Sequence, residues 1–86
     1  MDIRILGSGC ANCKRLHQIV ERSLAQTGTS ATLTKVEDIP TIMRYGVLST
    51  PALVINEVVV SAGKVPDVAQ VSTWLTTAAG REQPAN

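Results

Sequence analysis

Between residues 2 and 36 the hydrophobic period changes twice, and this constrains the fold more than any other feature of the chain. Ile3, Ile5 and Leu6 mark a short strand across Asp2 to Leu6, which Gly7-Ser8-Gly9 ends while clearing space around the next residues. From Cys10 to about Gln26, Leu16, Ile19, Val20 and Leu24 recur at three- and four-residue steps, so they share one helical face. Thr27-Gly28-Thr29 stops that helix. Ser30 to Val36 then alternates, with the β-branched content of a second strand. Strand, helix and strand in succession make a βαβ unit, whose strands run parallel through a right-handed crossover and whose helix covers one face of the sheet.

The rest of the chain adds a second, different half. Asp38 suits a helix N-cap, Pro40 a first turn and Gly46 a left-handed stop, giving a short helix around Ile42, Met43 and Tyr45. Two apolar runs, Ala52 to Ile55 and Val58 to Ser61, are separated only by Asn56-Glu57, which is hairpin spacing, although Glu is a poor second turn residue. Pro66 fits a first helical position with Asp67 at the positive end of the dipole, and Val68, Val71, Trp74, Leu75 and Ala78 line one face of a last helix. The order is β-α-β-α-β-β-α, an α/β fold with a mixed four-stranded sheet flanked by three helices. Residues 1–79 form the domain and residues 80–86, which lack an apolar period, a loose tail.

A chain of 86 residues with no Phe, one Trp and one Tyr builds one small domain around an aliphatic core. Eight basic against seven acidic residues leave a formal charge of +1, and Lys14-Arg15 is the only adjacent basic pair, which argues against a nucleic-acid partner. The longest apolar run is Ala52 to Ile55, far short of the roughly 20 residues that cross a bilayer, so no membrane partner is expected either. The start Met1-Asp2-Ile3-Arg4 has no leader pattern, which favours a cytoplasmic location.

The two cysteines, Cys10 and Cys13, close almost no loop between them, so a bond joining them adds little stability. Their chemistry is the more informative property. A C-x-x-C at a helix start after the first strand of a βαβ unit reads as thiol-disulfide chemistry. The unpaired N–H groups and dipole of the helix end favour a thiolate at Cys10, and a thiolate is the nucleophile. Cys13 lies one turn along in the apolar stripe, where burial keeps its proton until it attacks. One sulfur is expected exposed and the other shielded, with Lys14 and Arg15 assisting electrostatically. The same pair could instead be inert and buried, or could hold Cu(I) or half a zinc site with His17 as a third ligand. His17 flanks the apolar stripe and reads as a boundary residue. Thr50-Pro51 before an apolar strand admits either a cis peptide or the commoner strand-initiating trans proline.

Gly9-Cys10-Ala11-Asn12-Cys13-Lys14, the stretch Arg44-Tyr45-Gly46-Val47-Leu48-Ser49-Thr50-Pro51-Ala52-Leu53-Val54-Ile55, and Gly63 before a terminal helix together resemble the thioredoxin superfamily. More narrowly, the chain is similar to the small thioredoxin-like or glutaredoxin-like redox-active disulfide proteins. That resemblance implies a thiol-disulfide oxidoreductase in which Cys10 attacks and Cys13 resolves. It implies a cis Pro51 packed beside the disulfide, where it would also impede a metal ion. Thr50 would offer backbone hydrogen bonds to an extended substrate segment. Tyr45 is expected at the end of the second helix with its hydroxyl at the surface. The chain departs from thioredoxins in having Gly9 where they carry Trp and Ala11-Asn12 where they carry Gly-Pro, and the acid that assists their resolving cysteine has no counterpart in the first strand beyond Asp2.

The expected protein is a monomer that needs no cofactor and no metal, exchanges with a protein disulfide and draws electrons from a reductase or a small thiol. The alternative is a metallochaperone-like thiolate carrier. Heavy-metal-associated domains also place C-x-x-C after a first strand but finish in a strand, whereas this chain finishes in a helix. A weaker third reading is an adaptor whose redox pair only senses oxidant.

Overall fold

The computed structural model describes residues 1–7 and 11–82. Four strands and three helices follow one another as β1 (Asp2–Leu6), α1 (Ala11–Thr27), β2 (Thr32–Val36), α2 (Ile39–Arg44), β3 (Ala52–Ile55), β4 (Val58–Ala62) and α3 (Val68–Glu82). The sheet order is β2-β1-β3-β4, with β1 parallel to β2 and antiparallel to β3, and β3 antiparallel to β4. This is the α/β arrangement expected from the changes of period.

The two inner strands carry apolar residues toward both faces because helices cover both. On one face Ile3, Ile5, Leu53 and Ile55 pack with Leu16 and Val20 of α1 and Val71 and Leu75 of α3. On the other, Leu6, Ala52 and Val54 meet Ile42 of α2, with Val36, Tyr45, Val47 and Val59 around them. Every residue of β3 is therefore buried. α1 and α3 approach at Ser23, which is fully buried and donates to Ile19 O (2.9 Å) and Val68 O (3.3 Å). A hydroxyl satisfied at once by its own helix and its neighbour costs little to bury.

Local chemistry sets the element ends. Asp38 caps α2, accepting from Thr41 N–H (3.1 Å), and Gly46 takes a left-handed φ of 72° just past the helix. α3 begins two residues later than Pro66 suggests. Asp67 is its cap, accepting from Gln70 N–H at 2.8 Å, and Pro66 lies buried outside the helix. The Asp67 carboxylate satisfies a first-turn backbone donor, whereas Val65, the cap of a helix that started at Pro66, has no side-chain acceptor to do so. At its other end α3 continues to Glu82, into the segment read as a loose tail from residue 80. Helical hydrogen bonding needs no apolar period to run one more turn.

The hairpin turn is of the left-handed kind. Asn56 and Glu57 have φ of 50° and 68°, the signature of a type I′ turn. Glu57 accepts this unfavourable backbone in a polar setting: its carboxylate receives Arg4 Nη1 at 3.4 Å and the Tyr45 hydroxyl at 3.5 Å. Asn56 fastens the turn to the start of β1, donating its N–H to Asp2 O (2.7 Å) and accepting Asp2 N–H on its side chain (2.9 Å).

Candidate functional site

The C-terminal ends of β1 and β2 and the first turn of α1 converge on Cys13. The parallel ladder is prolonged past β1 by Gly7 N–H donating to Val36 O at 2.9 Å, which carries the backbone close beneath the helix. Cys13 is buried, 6% exposed, and is disulfide-bonded. Its position follows from the same helical stripe as Leu16 and Val20: three residues before Leu16, it faces the sheet. Cys10, the other sequence-predicted residue of the pair, lies outside the described residues.

Gly7 is where this close approach is decided. A Cβ at residue 7 would overlap Cys13 Sγ and would stand 3.7 Å from Thr50 Cβ. Thr50 and the Cys13 sulfur thus flank the same point, although 37 residues separate them in sequence. Any side chain larger than hydrogen would displace one of them.

The Thr50–Pro51 peptide bond is cis. Thr50 is exposed and Pro51 buried, and Leu48, fully exposed, stands three residues before Pro51. The turn is held from β4. Gly63 N–H donates to Pro51 O (2.9 Å), and the left-handed Gly63 leaves no room for a Cβ, which would sit 2.8 Å from Ser49 Cβ. Residues 49–51 are therefore fixed on one side by the sheet while Thr50 faces outward.

The electrostatics around Cys13 are mixed. α1 has no acidic residue in its first turn, so no carboxylate offsets the positive end of its dipole. A cavity of about 50 Å³ adjoins the cysteine and is lined by Ile5, Gly7, Cys13, Lys14, Lys35 and Glu37. Lys35 and Glu37 do not stand out in the sequence as site residues. The signal that places them here is the register, which sets Ile5 against Lys35 and Leu6 against Val36. Arg15 is exposed on α1. His17 is half-buried one turn beyond Cys13, and its Nδ1 lies 2.8 Å from Glu21 Oε1. Among the described residues no group of three or more His, Cys, Asp or Glu could hold a metal ion.

Tyr45 is tied more firmly than a surface hydroxyl. Arg4 Nη1 donates to it, Arg4 Nε lies 3.1 Å from Asp2 Oδ2, and the pairing with Tyr45 first and Asp2 second holds the Arg4 guanidinium above its already high ordinary pKa. This network is at the hairpin end of the sheet, away from the sulfur. No helix among the described residues is long and apolar enough to cross a membrane.

Comparison with known proteins agrees with this geometry. A family model described as thioredoxin domain matches residues 1–76. A thioredoxin of Methanocaldococcus jannaschii is 33% identical over 73 residues, covering 85% of this chain and 84% of the relative. A thioredoxin of Methanothermobacter thermautotrophicus is 26% identical over 76 residues, covering 88% of this chain and 99% of the relative.

Proposed function

The chain belongs to the thioredoxin superfamily, and we propose that it reduces protein disulfides by cycling Cys10 and Cys13 between dithiol and disulfide. Thiol-disulfide oxidoreduction is the general chemistry of that family. The observation that carries the reading is a disulfide-bonded Cys13 packed on Gly7 beside the Thr50–Pro51 turn, in a chain whose sequence holds one other cysteine, three positions earlier.

In the reduced protein Cys10 acts as thiolate and attacks one sulfur of the substrate disulfide. The substrate S–S bond breaks, its other sulfur leaves as thiolate and takes a proton, and a mixed disulfide with Cys10 forms. Cys13 then loses its proton and attacks Cys10 Sγ. The bond between Cys10 and the substrate breaks, the Cys10–Cys13 bond forms, and the second substrate thiol departs. Two electrons and two protons have passed from dithiol to substrate. A reductase or a small thiol returns them by the same exchange in reverse. The shielded position of Cys13 suits a sulfur that reacts only once its neighbour has been engaged.

Thr50 and Pro51 serve as the substrate platform in this reading. An extended segment bearing the target disulfide aligns along the exposed Thr50 backbone, in the manner of an added strand. The working compartment is the cytosol, where reductant keeps such dithiols reduced.

A covalent trap tests the proposal. With Cys13→Ser the mixed disulfide cannot be resolved, so incubation with a disulfide-containing reporter protein should accumulate a covalent complex through Cys10 that reductant releases. The Cys10→Ser, Cys13→Ser double variant should form none. No complex with the single variant, under conditions where free dithiols reduce the reporter, overturns the reading.

A further inference from the structure

The sheet has two edges, and they are finished differently. β2 presents Thr32, Thr34 and Lys35 to solvent, and a lysine on an edge strand discourages another strand from pairing. β4 reads Val58-Val59-Val60-Ser61-Ala62, with neither charge nor proline, and no strand among the described residues pairs with its far side. Val58 is half exposed. A bulge leaves Val60 without a partner on β3 and keeps it beside Val58 on the face that α3 covers, so the edge is bent without being charged.

That face is also incompletely filled. A cavity of about 410 Å³ lies between β4 and α3, lined among others by Val58, Val60, Trp74 and Ala78. A second cavity of about 350 Å³ continues it toward Lys64 and Pro66, and the two share Val60 and Trp74. Together they form a groove that follows β4 from the hairpin to the loop before α3.

We propose that β4 and this groove form the interface of a homodimer, in which the β4 strands of two copies pair antiparallel and one sheet runs through both. The monomer expected from the sequence is then the dissociated form.

An open strand edge is matched by another strand, because its unpaired N–H and C=O groups need partners of the same kind. The ends of β4 indicate which strand. Glu57 precedes it and Lys64 follows it, and both are exposed. The contacts of Glu57 with Arg4 Nη1 and the Tyr45 hydroxyl, at 3.4 and 3.5 Å, leave its carboxylate open to a further cation. In an antiparallel pair related by a two-fold axis, the start of one strand lies by the end of the other. Each Glu57 therefore approaches Lys64 of the second copy, and the complementarity occurs twice. With the axis perpendicular to the sheet, both α3 helices lie on the same side. The apolar rims at Val58, Val60 and Trp74 then come together and leave water, which supplies the driving force.

Sedimentation equilibrium of the full chain, in reductant so that no sulfur cross-link contributes, should show a reversible monomer–dimer equilibrium. Val58→Lys, at a position exposed enough to accept it in the monomer, should weaken association at least about tenfold by burying an unpaired charge at two symmetric places. Glu57→Lys and Lys64→Glu should each weaken it at least about tenfold, because like charges then meet across the axis. Mixed in equal amounts, those two variants should associate again, since every contact in the mixed dimer pairs opposite charges. Damage to the monomer would not be repaired by mixing. A parent protein that sediments as a monomer at every concentration overturns the proposal and leaves the groove to a different chain. A dimer untouched by Val58→Lys, or charge variants that stay apart when mixed, overturns it as well.

Discussion

The two ends of the sheet are held together by different physics. At the sulfur end, backbone and side chains approach so closely that two glycines are needed for space: Gly7 against Cys13 and Gly63 against Ser49. At the hairpin end, Arg4, Asp2, Tyr45 and Glu57 share their partners in a half-exposed network. Steric exclusion at short range has no substitute, since an added methyl either fits or displaces something. A polar network near solvent is redundant, because water replaces a lost partner. The candidate site is thus built where the chain tolerates least, and the turn that closes β3 on β4 where it tolerates more.

The largest expected break in this contrast is Gly7→Ala. The new Cβ would overlap Cys13 Sγ, so disulfide exchange should fall at least about tenfold and stability by about 1–3 kcal/mol, the usual range for overpacking. Reporter-disulfide reduction and denaturant unfolding measure the two effects. Activity within twofold of the parent would show that the sulfur end yields as readily as the other.

Tyr45→Phe probes the hairpin end and should cost less, about 0.5–1.5 kcal/mol, because Arg4 keeps Asp2 and Glu57 as partners. Exchange activity should be unchanged within experimental error. A loss of activity comparable to that of Gly7→Ala would mean that the two ends are coupled through β1.

The smallest effect is electrostatic and extends the comparison to a helix cap outside both ends. The Thr41 hydroxyl, then the Thr41 N–H, hold the Asp38 carboxyl below its ordinary value of 3.8, with Arg44 adding a smaller pull. A depressed carboxyl contributes stability that is complete above its unfolded pKa and fades as pH falls through the folded one. Its stabilisation should therefore be fully present at neutral pH and be lost only below about pH 4. Asp38→Asn should flatten the thermal-melting profile in that acid range alone. A difference in slope centred near neutral pH would assign the cap's contribution to some other group.

Much of this molecule is legible in its sequence. The switch in period around Cys10 and again after Gly28 identifies the βαβ unit, because helix and strand bury their apolar residues at different spacings. Asp38 and Gly46 mark the ends of α2 by capping chemistry that acts over three or four residues. The glycine run after β1 signals space ahead of the cysteines. That Gly7 meets the Cys13 sulfur depends on where α1 docks. Glu57 looks unsuited to its turn because the partners that accommodate it, Arg4 and Tyr45, come from β1 and the end of α2. The start of α3 shifts from Pro66 to beyond Asp67 because a side-chain cap and a first-turn proline compete for neighbouring positions, and local preference alone does not rank them.

From the amino-acid order alone came the alternation of elements, the aliphatic core and the place of Cys13 in the apolar stripe of α1, all of which depend on neighbours within a few turns. The tertiary structure alone decided the strand order, the meeting of Thr50 with Cys13 around Gly7, and the placing of Lys35 and Glu37 at the cavity. Those facts require register and docking between segments tens of residues apart. Contacts of that range are settled by which packing buries the most apolar surface without a clash, and no local spacing encodes that outcome.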